Sequence, residues 1–160
     1  MLGLDPAREM GGRESGLAVV VTARSDGSAQ VSVVNAGVLD HPVTGEAVVG
    51  FVVRGGARKL SNLRQRPRVT VVFRSGWDWV AVEGDADLAG PNDTLDGLDP
   101  SNLPRLLRAV YAAAVGGSET DWAGLDTVMA SERHTAVLVH PIRVYSNPPD
   151  GDLTDGGAGG

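Results

Sequence analysis

The sequence predicts a mainly β protein in which about six antiparallel strands form a closed or partly closed barrel. Three observations predict it. Valine-rich runs recur along the chain, separated by turns rich in Gly, Asp and Pro, and many short strands joined by tight turns favour a barrel. Apolar residues make up 42% of the chain but aromatics only 4%, so Val and Ala must fill the core, and valine packs well on a pleated surface. Helical periodicity is confined to a few short stretches and no GxGxxG follows a strand, which argues against a doubly wound parallel sheet.

The elements follow in order. A short helix around Pro6–Met10 is followed by a Gly-rich break. "LAVVVTAR" (17–24) and "AQVSVVNA" (29–36) are strands, and "SDGS" between them is a hairpin turn in which Gly27 supplies positive φ. "VLDHPVTGEAVVGFVVR" reads as a further hairpin with its return strand at about 47–54. "GGARKLSNLRQRP" breaks the alternation: Leu60 and Leu63 recur at helical spacing and Pro67 closes the segment, predicting a helix over 57–65. Strands follow at 68–75 and 77–90, with a tight turn near Gly76. "LPRLLRAVYAAAV" (103–115) carries Leu103, Leu106, Leu107, Val110, Tyr111 and Ala114 on one helical face. "DWAGLDTVMASER" is a second helix with Asp121 as a candidate N-cap. "TAVLVHPIRVYS" (135–146) is the last strand. The expected organisation is an N-terminal segment (1–16), a barrel domain (17–146) with a helical insertion at about 101–132, and a disordered, dispensable tail (147–160), too polar and Gly-rich to offset its ordering entropy.

Composition excludes several functions. There is no cysteine, hence no disulfide, Cys-ligated zinc, iron–sulfur cluster or thiol nucleophile. A net charge of −6 argues against a general nucleic-acid binder. The N-terminus lacks an apolar signal-peptide core and no run approaches the ~20 apolar residues of a membrane span, so the expectation is a soluble, cytoplasmic protein.

Against that acidic background, Arg54, Arg58, Lys59, Arg64, Arg66 and Arg68 fall within one stretch that no Asp or Glu interrupts. On the predicted helix, Arg58, Lys59, Asn62 and Arg66 cluster opposite the two leucines. Arg58 and Lys59 lie in the first turn, where unpaired N–H groups favour an anion, and Gly55 and Gly56 permit close backbone approach. Cations at a helix N-terminus conflict with the dipole unless an anion is held there. The stretch therefore reads as a site for a small phosphate-bearing anion, the alternative being a solvated basic face.

Other constellations are weaker. His41, His134 and His140 lack metal-ligand spacing and read as turn or surface residues. Glu83, Asp85 and Asp87 alternate on one strand face and read as solvent-exposed. Trp77 and Trp79 share a strand face and read as core or interface packing. There is no GxSxG elbow, P-loop or EF-hand pattern.

"ARKLSNLRQRPRVTVVF" followed by "WVAVEGDADL", with the early hairpin "ARSDGSAQVSVV", resembles the flavin/deazaflavin split-barrel superfamily, which is pyridoxamine 5′-phosphate oxidase-like. The likeness covers about residues 17–90, more loosely 135–146. It implies a six-stranded antiparallel split β-barrel that works as a homodimer, with cofactors in clefts at the subunit interface. By position, Arg58 and Lys59 would bind the cofactor phosphate. Gln30, Val31, Ser32, Val33, Val34 and Asn35 would line the cleft on the second strand. Val52 and Val53 would offer backbone, with Arg54, Ala57 and Asn62 nearby, and Trp79 would stand against the cofactor region. Vitamin B6 oxidases of the family carry Arg and Lys where Gln30 and Asn35 stand, and the family's substrate-binding Trp–Arg ending is missing. The chain is more similar to the branch that uses deazaflavin coenzyme F420, whose acidic tail Arg54, Arg64 or Arg66 would suit. The implied function is hydride transfer between F420 and a small, apolar, conjugated substrate. The alternatives are FMN in the same fold, or a non-catalytic carrier of such a cofactor.

Overall fold

The structure, a computed structural model, describes residues 3–147. The predicted tail beyond Asn147 lies outside the described residues.

Six antiparallel strands close into one barrel: β1 (Leu17–Ala23), β2 (Ala29–Asp40), β3 (Ala47–Val53), β4 (Arg68–Ser75), β5 (Asp78–Ala89) and β6 (Thr135–Ser146). Around the barrel the order is β1-β2-β3-β6-β5-β4. The helices are α1 (Asp5–Arg13), α2 (Arg58–Gln65), α3 (Leu103–Val115) and α4 (Trp122–Ser131), with a 3-10 turn at Pro100–Asn102 before α3. Among the described residues, no helix is long and apolar enough to cross a membrane.

Alternation decides which residues fill the barrel. On β1, Ala18, Val20 and Thr22 are buried while Val19 and Val21 face outward, half-exposed. Phe51, Val71, Phe73, Val80, Val82 and Val137 complete the interior. A second core lies outside the barrel wall, where Leu106, Leu107 and Val110 of α3 and Met129 of α4 cover Val48 and Leu138. Asp121 caps α4 as expected, its carboxylate accepting the Gly124 N–H at 3.1 Å.

Two sequence expectations need correction. The second strand does not stop at Ala36; it runs through Gly37 to Asp40. It pairs with β1 as far as Asn35, then with β3 from Ala36 onward. Gly37 is therefore not a turn residue. It is glycine because α3 packs so closely that a Cβ there would overlap the Ala113 carbonyl. Trp77 does not share a strand face with Trp79: β5 begins at Asp78, and Trp77 sits in the β4–β5 turn, 95% exposed.

Candidate functional site

Helix α2 anchors itself through Leu60 and Leu63, both buried in the barrel core. Its N-cap is Ala57, which offers no side-chain hydrogen bond; the Leu60 N–H bonds to the Ala57 carbonyl at 3.2 Å, and the Arg58 and Lys59 N–H groups are left without a backbone acceptor among the described residues. Arg58 is exposed. Lys59 is half-buried, and burial alone lowers its pKa below the usual lysine value. Neither forms an ion pair among the described residues, whereas eight arginine–carboxylate pairs are made. A part-desolvated ammonium without a counter-charge, beside an uncapped helix start, is a donor set that fits a phosphate.

The remaining cations of the stretch are already engaged. Arg64 grips Asp93 through two hydrogen bonds of 2.9 and 2.7 Å. Arg66 donates to the Ala23 carbonyl at 3.1 Å, and Arg68 pairs with Asp85 at 2.9 Å. Arg54 is mostly exposed, with Glu132 at 3.4 Å. Asn62 is not on the basic face; it is buried and donates to Thr22 Oγ1, which in turn donates to Gln30 Oε1, both at 3.1 Å. This polar chain ties α2 to β1 and β2 through the residue that follows its first turn. Gly55 serves packing: a Cβ there would lie 2.8 Å from Arg133 Cβ. Gly56 is open to solvent.

The second-strand residues divide between two faces. Gln30, Ser32 and Val34 sit opposite Thr22, Val20 and Ala18 and share their side. Ser32 Oγ is buried without a hydrogen-bond partner. Val31 and Val33 point outward, 59% and 64% exposed, beside Val19, Val21 and Val72. Asn35 donates to the Ser15 carbonyl at 2.9 Å. Val52 is half-buried, Val53 buried, and Ala57 half-buried. Trp79 meets Tyr145 edge-on at 5.9 Å. Within one chain it is not brought to α2. Thr22 marks the α2 end of β1, while Trp79 pairs with Arg74 beyond the opposite end, a span of five residues or more at ~3.3 Å each.

Sequence reasoning missed one cluster. His41 is buried, and its Nε2 lies 2.9 Å from Asp87 Oδ2, the same oxygen that His140 Nε2 approaches at 2.6 Å. These three could hold a metal by distance alone, but hydrogen bonding argues otherwise. The backbone N–H groups of Val43 and Thr44 both donate to His41 Nδ1, at 3.1 and 3.2 Å. Nδ1 must therefore keep its lone pair, the proton sits on Nε2, and Nε2 donates to Asp87 instead of facing a cation. No sequence spacing connects these residues; only the adjacency of β3, β6 and β5 does. The expected solvent-facing row on β5 is likewise engaged, with Glu83 accepting from Tyr145 at 2.8 Å and Asp85 bound to Arg68.

Burial pushes the Asp87 carboxyl up, but the two imidazole N–H donors outweigh it and hold it below the usual value. A carboxyl lowered in the folded state stabilises the fold above its unfolded pKa of roughly 3.9, and that contribution fades as pH falls through the folded value. Asp87→Asn is therefore expected to lower the thermal midpoint near neutrality, and the gap to the parent should begin to close at about pH 4 and narrow further as pH falls through the lower folded value. Unfolding curves across pH check this; a constant offset at every pH would contradict it.

No family model and no curated protein matches the sequence. Solved structures do resemble the chain. A conserved hypothetical protein of Mycobacterium tuberculosis superposes with a TM-score of 0.65 at 19% identity, covering 91% of this chain and 84% of that one. A pyridoxamine 5′-phosphate oxidase-related, FMN-binding protein of Nostoc punctiforme gives 0.65 at 12% identity, with 95% and 88% covered. The haem storage protein HutZ of Vibrio cholerae gives 0.55 at 13% identity, with 90% and 94% covered. The fold is thus a six-stranded antiparallel split barrel, like that of the FMN-binding protein of Nostoc punctiforme.

Proposed function

We propose that the chain is an oxidoreductase that holds a phosphate-bearing flavin-class cofactor at the start of α2. The carrying observation is Lys59, a half-buried ammonium without a counter-charge among the described residues, beside an uncapped helix N-terminus. Lys59 and Arg58 would hold the phosphate, and the Asn62–Thr22–Gln30 chain keeps α2 in register with β2. The cofactor would supply the hydride chemistry; the protein supplies binding, orientation and exclusion of water. Its substrate would be small, apolar and conjugated.

F420 and FMN both satisfy the phosphate site. F420 also brings an acidic tail, for which Arg54 is the least committed cation. The engagement of Arg64 and Arg66 favours FMN as a second reading. Equilibrium titration at low and high salt separates them. Exposed cation–carboxylate pairs contribute about 0–1 kcal/mol each and are screened, so tail recognition shows as F420 affinity that salt erodes more than FMN affinity. Tighter FMN binding at low salt assigns FMN, and binding of neither cofactor overturns the proposal. Turnover with the bound cofactor separates enzyme from carrier.

The same reading includes a homodimer. Leu17, Val31 and Val33 are exposed together on a regular sheet face with Val19, Val21 and Val72, an apolar surface that favours a partner. A second copy seated there is also the proposed route by which the distant Trp79 reaches a cofactor cleft. Val33→Glu is expected to shift the protein to monomer by analytical ultracentrifugation and to weaken cofactor binding with it. A parent protein that is monomeric at micromolar concentration yet binds cofactor tightly rules the dimer out.

A further inference from the structure

A cavity of about 370 Å³ lies outside the barrel, between the start of α3, the last turns of α4 and the loop after β5. Its walls are largely apolar: Pro91, Leu103, Leu107 and Met129. The size falls within the range of small-molecule sites, roughly 300–1,000 Å³. Three charged or titratable side chains border it. Asp126 is neutralised by Arg108, which grips both carboxylate oxygens. His134 Nε2 is bonded to Glu132 at 2.9 Å. Arg133 differs from both. Its guanidinium donates to the neutral Asn92 Oδ1 at 2.7 Å, and it has no acidic partner among the described residues.

The backbone at Arg133 shows that this side chain is placed at some expense. Helix α4 ends with Arg133 N–H bonded to the Ala130 carbonyl and His134 N–H bonded to the Met129 carbonyl. That pattern puts Arg133 in the left-handed position usually given to glycine, with φ of 55°. A side chain there is disfavoured relative to glycine. Gly55 must also stay without a Cβ, which would lie 2.8 Å from both Arg133 Cβ and the Arg133 carbonyl oxygen. From this point the side chain crosses to Asn92, beside the cavity wall at Pro91. Arg133 thus borders a largely apolar cavity, and among the described residues Asn92 is the one side-chain acceptor of its guanidinium.

We infer that this cavity binds a small apolar carboxylic acid, its hydrocarbon or aromatic body between Leu103, Leu107 and Met129 and its carboxylate on Arg133. Guanidinium presents parallel N–H donors that match a carboxylate. The site does not involve α2, so the inference stands independently of the cofactor.

The probes are 2-naphthoate and its neutral counterpart 2-naphthalenemethanol, titrated into the full-length protein by calorimetry. Naphthoate is expected to bind about tenfold or more tightly than the alcohol, as a charge-assisted hydrogen bond allows. Arg133→Gln should abolish that preference while leaving the alcohol's affinity unchanged. Met129→Trp should fill the cavity and weaken both probes; Leu103→Trp serves if the first variant does not fold. Lys59→Ala should leave naphthoate binding unaltered. Equal affinity for the two probes, no binding of naphthoate at millimolar concentration, or a preference that survives Arg133→Gln overturns the inference. So does loss of naphthoate binding in Lys59→Ala, which places the probe at α2.

Discussion

Replacing Lys59 with alanine is expected to lower cofactor affinity tenfold or more while leaving the fold intact. The two halves of that result come from one physical fact. Burial lowers the pKa of Lys59 and nothing among the described residues compensates it. A lysine with a depressed folded pKa opposes folding while it is charged, and the penalty is relieved only as pH rises through that folded value. Removing the ammonium at neutral pH therefore does not destabilise the barrel. A bound phosphate loses a charge-assisted hydrogen bond, however, worth roughly 1.5–3 kcal/mol, or about ten- to a hundredfold in affinity. Arg58→Ala acts in the same direction. Affinity by fluorescence titration and stability by thermal unfolding, measured on one preparation, give the comparison. Unchanged affinity in both variants removes the phosphate assignment; a large drop in melting temperature shows that Lys59 is structural instead.

A large effect on stability is expected at Gly37. A Cβ there would overlap the backbone of Ala113, and backbone cannot move aside by changing rotamer. Gly37→Ala must push α3 off the sheet, disturbing the packing of Leu106, Leu107 and Val110 on Val48 and Leu138. Overpacking of well-filled sites typically costs 1–3 kcal/mol and occasionally more, and about 3 kcal/mol is expected here because both surfaces are main chain. Denaturant unfolding measures it. Gly27→Ala is a useful contrast: no atom lies within 4 Å of its Cβ, although its φ of 86° still disfavours a side chain. A loss at Gly37 no greater than at Gly27 contradicts the close approach.

The barrel was largely legible because its strands are valine-rich and its hairpins carry local turn signals, as at Gly27 and Gly76. The second strand was cut short because a glycine within a strand looks the same in sequence whether it makes a turn or admits a helix; Gly37 does the latter. The basic helix was legible as a helix, yet Asn62 was placed on the wrong face. The two leucines define too narrow a buried arc, and a polar residue can be buried when Thr22 accepts its amide hydrogen bond. The engagement of Arg64 by Asp93, twenty-nine residues away, follows from tertiary contact alone. So does the meeting of His41 and His140 at Asp87: no local pattern encodes which strands become neighbours.

The place of β6 in the barrel bears on how the chain folds. It is the last strand in sequence, yet it lies between β3 and β5, pairing with β3 through Thr135–Val139 and with β5 along nearly its whole length. Until residues 135–146 arrive, β3 and β5 each present an unpaired edge, and β1, β2, β3, β4 and β5 can form only an open sheet. Closing it brings together segments more than eighty residues apart, such as Val49 with Val139, so the entropy of loop closure precedes the reward of pairing. Folding is then expected to be slow, in the range of milliseconds to seconds for such topologies. During synthesis the open sheet would stay exposed to edge-on association until its final strand leaves the ribosome.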